Sequence, residues 1–465
     1  MKDLLKKVKG ALFTEVDPTV VSLFRIVFGA VMVYQMLYYY SIDYTFQFMA
    51  GPEVLFPFQG FEFVKPLSLP VLKLIHFSLL VAAILMMVGI FYRVATTYFF
   101  LGYTYFFLID NTLFNNHTYL MALISGVMIF ITADNSFRLP FFRKRPPGAL
   151  IPAWNRYLLI FCISLPYFFG GIAKLHPNWW KTDLVPIILE GNNDSLITSI
   201  FPLKFLTSFI TYTGLVYDLV IIFLLLNKKT RIFGLVLVVI FNFSNHAILF
   251  DDIGVFPLMM IFSTVLFFEG KEIKSFIKRR EPKKKKRKNK GLKTKPQIIA
   301  KRNSSSNSSL WQNATAITLL VFVLVHILLP FRWMLHTDNP EWTGIGSRFA
   351  WRMKMQTRKM TNVKMTLTDR KTGASGPIEL ETFLSSNQYN HVFNDPHNLI
   401  HLAKYLSIKI SAERGFVDPI IRADISVSFC GLPPQKMIDP NVDLTKVKIN
   451  RYQKNHPWLL PLNPF

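Results

Sequence analysis

The sequence predicts a polytopic α-helical membrane protein with eight or nine transmembrane helices, followed by a small β-rich extracytoplasmic domain. Three observations carry that expectation. Of 465 residues, 51% are apolar and 17% charged, with 44 Phe, whereas soluble chains run at about 25% charged. Apolar stretches of about 20 residues, the helix length that crosses a hydrocarbon core, recur between residues 19 and 330. Residues 331–465 break that pattern and alternate apolar with polar side chains. Two Cys allow at most one bridge, which excludes a disulfide scaffold.

The expected spans are 19–40, 71–92, 95–113, 117–134, 154–174, 206–227, 231–250, 253–269 and 312–330, the fourth and eighth being short. The first is too long for a removable signal and lacks a small-residue cleavage site, so it reads as an anchor. With the N-terminus inside, the inner segments carry 28 Lys and Arg against 4 in the outer loops. That bias places the N-terminus in the cytoplasm and the C-terminal part outside it. An integral position in a bacterial inner membrane is the expected location. The corresponding division is 1–270 as a multi-helix catalytic domain, 271–311 as a basic cytoplasmic linker, 312–330 as the last transmembrane helix and 331–465 as the β-rich domain.

The net charge of +25 is concentrated: residues 271–302 hold 16 Lys and Arg against 2 acidic residues. Lys283 to Lys288 is unbroken base, but the tract lies between two spans and lacks aromatics on which bases would stack. It reads as a solvated linker attracted to anionic membrane lipids, with no nucleic-acid partner. The polar run Asn303 to Ser309 extends it.

In the C-terminal part, Val363, Met365 and Leu367 alternate with Lys364, Thr366 and Thr368, the period of a half-buried strand. Asp369 to Gly373 reads as a turn and Pro377 to Phe383 as a return strand. Ile421, Ala423, Ile425, Val427 and Phe429 mark a longer strand, and Asn398 to Leu406 a short amphipathic helix. Cys162 falls in a span and Cys430 in this domain, so no bridge between them is expected.

Ionisable and amide groups in spans are costly and point to function. Asn115, Asn116 and His117 open the fourth span, Lys174 closes the fifth, and Asn242, Asn245 and His246 end the seventh, ahead of Asp251 and Asp252. The predicted orientation brings all three clusters to the outer face. Each has a plainer explanation too: Lys174 can snorkel to the interface, the His residues can cap helices, and Gly170-Gly171 can serve close packing as well as a substrate. No HExxH, paired CxxC or phosphate-cradling glycine loop occurs, and the His spacing matches no metal site. Among Phe168, Phe169, Leu175, Trp179 and Trp180, apolar surroundings would disfavour the ammonium form of Lys174 and leave an amine able to take a proton. Such a site suits a lipophilic acid such as a hydroquinone arriving from the bilayer.

At these residues the chain resembles the vitamin K-dependent γ-glutamyl carboxylase family. The resemblance lies in Asn115-Asn-His-Thr-Tyr-Leu120, in Gly170-Gly-Ile-Ala-Lys-Leu175 with Trp179, and in Asn339-Pro-Glu-Trp-Thr-Gly344 with Phe349-Ala-Trp-Arg-Met353. Thr368 to Gly373 and Asp439 to Asp443 continue it. The resemblance implies a horizontally transferred transmembrane (HTTM) domain and a luminal-type domain. It further implies that Lys174 deprotonates vitamin K hydroquinone or a related menaquinol. Oxygen then converts the quinol to its epoxide while a glutamate side chain of a peptide or protein loses its γ-proton and takes up carbon dioxide. Asn116 would hold the quinol, with Asn115, Asn245, His246 and Trp179 around the substrate, and His117 would assist the carboxylation half; no metal is implied. This chain departs from the family where Asn242-Phe-Ser-Asn245 replaces a His-x-x-Asn element and where His176 stands in place of an acidic residue. The alternatives are a quinol epoxidase that carboxylates no protein and a non-catalytic transporter or scaffold; no internal repeat of the transporter kind is visible.

Overall fold

The computed structural model describes residues 2–137, 149–191, 200–245, 254–280, 306–450 and 453–463. His246, Asp251, Asp252 and the Lys283 to Lys288 run lie outside them.

An amphipathic helix, α1 (Lys2–Phe13), precedes a helical bundle. Five described helical segments are long and apolar enough to cross a membrane: α2 (Thr19–Ser41), α3 (Leu69–Val88), α6 (Trp154–Ala173), α9 (Leu203–Leu226) and the stretch Ser309–Leu335. The last begins within α13 (Ser306–Leu328), so the polar run expected to be linker is helical from Ser306. Its basic neighbour is helical at the other end, in α12 (Gly270–Arg280).

Among the described residues, four other expected spans are not both long and apolar enough to meet that requirement. They are α4 (Tyr92–Ile109), α5 (Asn116–Met128), α10 (Arg231–Ser244) and Phe256–Phe267, which is α-helical (α11) only to Ser263. At a rise of about 1.5 Å per residue, α5 reaches only about 20 Å against a core of about 30 Å. The shortfall of α5 is at its C-terminal end, Met128 against the expected 134, while its start and the end of α4 are set by local chemistry. Asp110 accepts from the Thr112 N–H (2.8 Å) and turns the chain after α4 into a 3-10 segment, Asn111–Leu113. Asn115 then caps α5 by accepting from the Thr118 N–H (2.7 Å). The two helices therefore meet in a polar elbow instead of running straight through.

Close packing fixes the bundle. Arg25 of α2 is fully buried, donating to Met86 O (3.2 Å) and Phe137 O (2.8 Å). It lies against Gly89, which ends α3 at φ +78°; a Cβ there would stand 2.1 Å from Nη1. Side chains such as Phe77, Val94 and Phe209 point outward and are exposed, as expected of helices that face lipid.

The C-terminal sheet is antiparallel in the order β4-β3-β5-β6: β3 is Arg358–Thr368, β4 Ser375–Pro377, β5 Ile420–Phe429 and β6 Gln435–Lys436. Val363, Met365 and Leu367 lie opposite Ile425, Ala423 and Ile421, and the inward residues of β5 are all buried. The expected return strand is cut short. Pairing ends after Pro377 with the Ile378 N–H on Met365 O (2.9 Å), and Leu380–Thr382 forms a 3-10 turn. The amphipathic helix is longer than expected: α16 (Pro396–Arg414), capped by Asp395, packs on the sheet. The sheet's core extends into one end of the bundle, taking in Val54, Phe56, Leu206 and the short helices α7 (Pro177–Lys181) and α8 (Leu184–Glu190). Cys162 and Cys430 are both free and buried.

Candidate active site

A cavity of about 370 Å³ opens where the bundle meets the sheet region, a volume within the usual range for small-molecule sites. Asn115, Asn116, His117, Lys174, Trp179 and Asn245 all line it. Of the residues expected to form a site, only His246 lies outside the described residues.

Lys174 is held by three elements. It ends α6, its backbone N–H bonding back to Gly170 O (3.2 Å). Next, His176 caps α7, which places Trp179 beside the amine, the Nζ 5.3 Å from the ring centroid. From α9 come Thr211, Gly214 and Asp218, spaced to share one helix face. Thr211 O accepts from Trp179 Nε1 (3.1 Å). Gly214 lies against the lysine stem, and a Cβ there would make ordinary contact with Lys174 Cε at 3.9 Å. Asp218, 4% exposed, forms an ion pair with Lys174 through Oδ2.

This corrects the environment expected around the amine. Leu175 is 57% exposed and points away, and Phe168 is also largely exposed. The amine instead meets a buried carboxylate and an indole. Gly170 and Gly171 divide the two explanations left open for them. A Cβ at Gly171 would come within 2.7 Å of Leu219 Cδ2, so this glycine serves helix contact. One at Gly170 would meet Asp218 Oδ2 at 3.3 Å, so this one makes room for the carboxylate.

On the facing wall, Asn115 spends its carbonyl on the α5 cap. Asn116 Oδ1 is buried with no hydrogen-bond partner among the described residues. The His117 ring lies 5.8 Å from that of Phe256. Asn242 is buried and donates to Tyr167 Oη (3.2 Å) and Val238 O (2.9 Å), which ties α10 to α6.

The roof comes from the segment after the last long helix and was not foreseen as part of the site. Glu341, in α14 (Pro340–Thr343), pairs with Arg352, whose guanidinium lies 4.8 Å from the Trp333 ring centroid. His176 Nδ1 stands 3.9 Å from Glu341 Oε2. Burial lowers the pKa of His176 while Glu341 opposes the shift. Arg348 bonds Asn111 Oδ1 (3.1 Å) and Asp395 Oδ2 (3.2 Å), and Lys354 also lines the cavity. Glu341 thus brings a carboxylate beside His176 and Asp218 one beside Lys174. Among the described residues, no cluster of three or more His, Cys, Asp or Glu is arranged to hold a metal ion.

Chemically, the cavity offers a paired amine and carboxylate, an unpartnered amide carbonyl, an imidazole and apolar walls such as Ile210, Phe241 and Met260. Comparison with known families agrees in register with these two regions. The family model of the HTTM domain matches residues 13–271. That of the vitamin K-dependent gamma-carboxylase, lumenal domain, matches residues 311–464. No solved structure matches the chain.

Proposed function

From the premise that the chain belongs to the vitamin K-dependent γ-carboxylase family, we propose that it carboxylates glutamate side chains while oxidising a quinol to its epoxide. Vitamin K hydroquinone or a related menaquinol is the co-substrate, Lys174 the base that accepts its hydroxyl proton, and a glutamate-containing peptide or protein the acceptor. The observation that carries this reading is the single cavity shared by Lys174, Asn116, His117 and Trp179, residues drawn from two separate stretches of sequence.

The cavity suits such a co-substrate: its apolar walls match a lipophilic ring, and the unpartnered Asn116 Oδ1 can accept from a hydroxyl. When bound, the quinol supplies, with oxygen, the strong base that removes a γ-proton, and carbon dioxide completes the carboxylation. Lys174 Nζ takes the first proton, the Trp179 face orients that amine, and His117 serves the carboxylation half, with Asn115 and Asn245 shaping the substrate wall. Eight or nine crossings, a cytoplasmic N-terminus and an extracytoplasmic sheet region belong to the same proposal. So do residues 1–270 as the catalytic part and 271–311 as an inner, lipid-facing linker. This arrangement opens the cavity to the outer leaflet, where quinol and secreted substrates meet.

The test is purified protein incubated with vitamin K hydroquinone, labelled bicarbonate and a glutamate-containing peptide. Wild type is expected to yield both label in the peptide and epoxide, and Lys174→Ala to lose both by ~10²-fold or more. Undiminished turnover in that variant refutes the base assignment. Epoxide without label marks a quinol epoxidase, and solute movement without hydroquinone consumption marks a transporter.

A further inference from the structure

Asp218 has no part in the chemistry described so far, yet it is the only acidic residue in the apolar stretch 206–227. It is almost fully buried, and its Oδ2 contacts Lys174 Nζ. Gly170 leaves room beside the carboxylate, where a Cβ would stand 3.3 Å from Oδ2. An isolated buried charge is costly, whereas a pair is neutral as a unit. A lysine held as ammonium against a carboxylate, however, has no lone pair and cannot act as a base.

We propose that Asp218 is a positioning residue that stores the proton of Lys174, so that Lys174 and Asp218 act together as one base. This rests on the reading of Lys174 as base. In the resting pair Nζ carries three protons and Oδ2 none. One N–H proton moves along the existing contact to Oδ2, leaving a neutral amine with its lone pair and a neutral carboxylic acid. The substrate O–H then breaks, its electron pair stays on the substrate oxygen, and its proton forms a new N–H bond on Nζ. The pair now holds one extra proton and one positive charge next to the substrate oxygen, and it resets by releasing a proton to solvent. The lone pair is thereby made available at neutral pH without first losing a proton to water.

Other titratable groups around the cavity share its field. They are His117 on α5, Tyr167 on α6, and Glu341, Arg348, Arg352, Lys354 and His391 from the sheet region, with Tyr217 next to Asp218 on α9. The contact at Nζ is made by Asp218 Oδ2.

The experiment compares wild type, Asp218→Asn and Asp218→Glu in lipid nanodiscs. Hydroquinone oxidation is followed against pH, and infrared difference spectra are recorded on anaerobic addition of vitamin K hydroquinone. Wild type is expected to keep a flat rate through neutral pH and to gain a protonated-carboxyl band on hydroquinone addition. Asp218→Asn should fall ~10²-fold at neutral pH, recover as pH rises and lack the band. Asp218→Glu, with a carboxyl on the same helix face, should keep the flat profile at a reduced rate. An Asp218→Asn profile of wild-type size and shape overturns the proposal. Where that variant does not fold, absence of the band in wild type overturns it. Wild type that consumes no hydroquinone in air defeats the function proposed above, while the anaerobic spectra still report on the pair.

Discussion

Lys174, Asn116 and His117 were legible because polar side chains in apolar stretches stand out, and their spacing from span ends placed them at one face. Asp218 was equally visible as a lone acid in an apolar stretch, but pattern alone did not link it to Lys174, 44 residues away. Glu341 was legible within a motif, yet nothing in that motif showed that its carboxylate would face His176 and Arg352. The walls of the amine were misread for a related reason: Phe168 and Leu175 adjoin the site in sequence but turn outward on the helix. At this scale, His117→Ala is expected to reduce label incorporation into peptide more than epoxide formation, by ~10-fold or more. Equal loss of both products would assign His117 to the quinol half.

Elements were legible in proportion to their periodicity. β5 was read almost residue for residue, because strict alternation over ten residues has no helical equivalent. The return strand was misplaced: pairing covers Ser375–Pro377, closes with the Ile378 N–H on Met365 O and gives way to the 3-10 turn at Leu380–Thr382. One helix end failed where a side chain turns the chain: hydropathy runs on to Leu113, while Asp110 ends α4 at Ile109 by accepting from the Thr112 N–H. The contact of α6 with α9 also escaped, since a Gly-Gly pair is compatible with both packing and space. Gly171→Ala should press on Leu219 and lower stability by about 1–3 kcal/mol, read as a drop in Tm in detergent. Leu219→Ala in the same chain should restore part of it through shared space. A fully additive double mutant would mean that the two residues do not press on each other.

Across the whole molecule, bundle and sheet region are joined by buried polar bonds that need both partners. Asn111 and Asn398 exchange amide bonds of 2.9 Å each way, and Gln388 Nε2 bridges Asp110 Oδ2 (2.9 Å) and Val54 O (2.7 Å). Burial raises the pKa of Asp110, with the Gln388 bond opposing the shift. Because Asn111 lies in the elbow that leads to Asn116, this joint sets the roof above the cavity. Asn398→Ala should strip Asn111 of two bonds, at a cost of about 1–3 kcal/mol. It should also speed amide exchange both at the start of α5 and at the start of α16; acceleration confined to α16 would show that the joint does not reach the site. Asp395 adds a pH dependence. Burial disfavours its charge, but Arg348 and then His397 outweigh burial and hold its carboxyl below the usual carboxylate range. A depressed carboxyl stabilises the fold above its unfolded value of about 4, and the contribution is lost as pH falls below that. Asp395→Asn should therefore flatten the acid side of a Tm-against-pH curve. What the sequence determined alone was the apolar character of the helices, the two long strands β3 and β5 and the polar clusters at span ends, because hydropathy and periodicity are local properties of the chain. The tertiary structure decided that Lys174 meets Asp218 and that Glu341, Arg348 and Arg352 roof the cavity, because ion pairing between distant segments depends on helix contacts that no local pattern encodes.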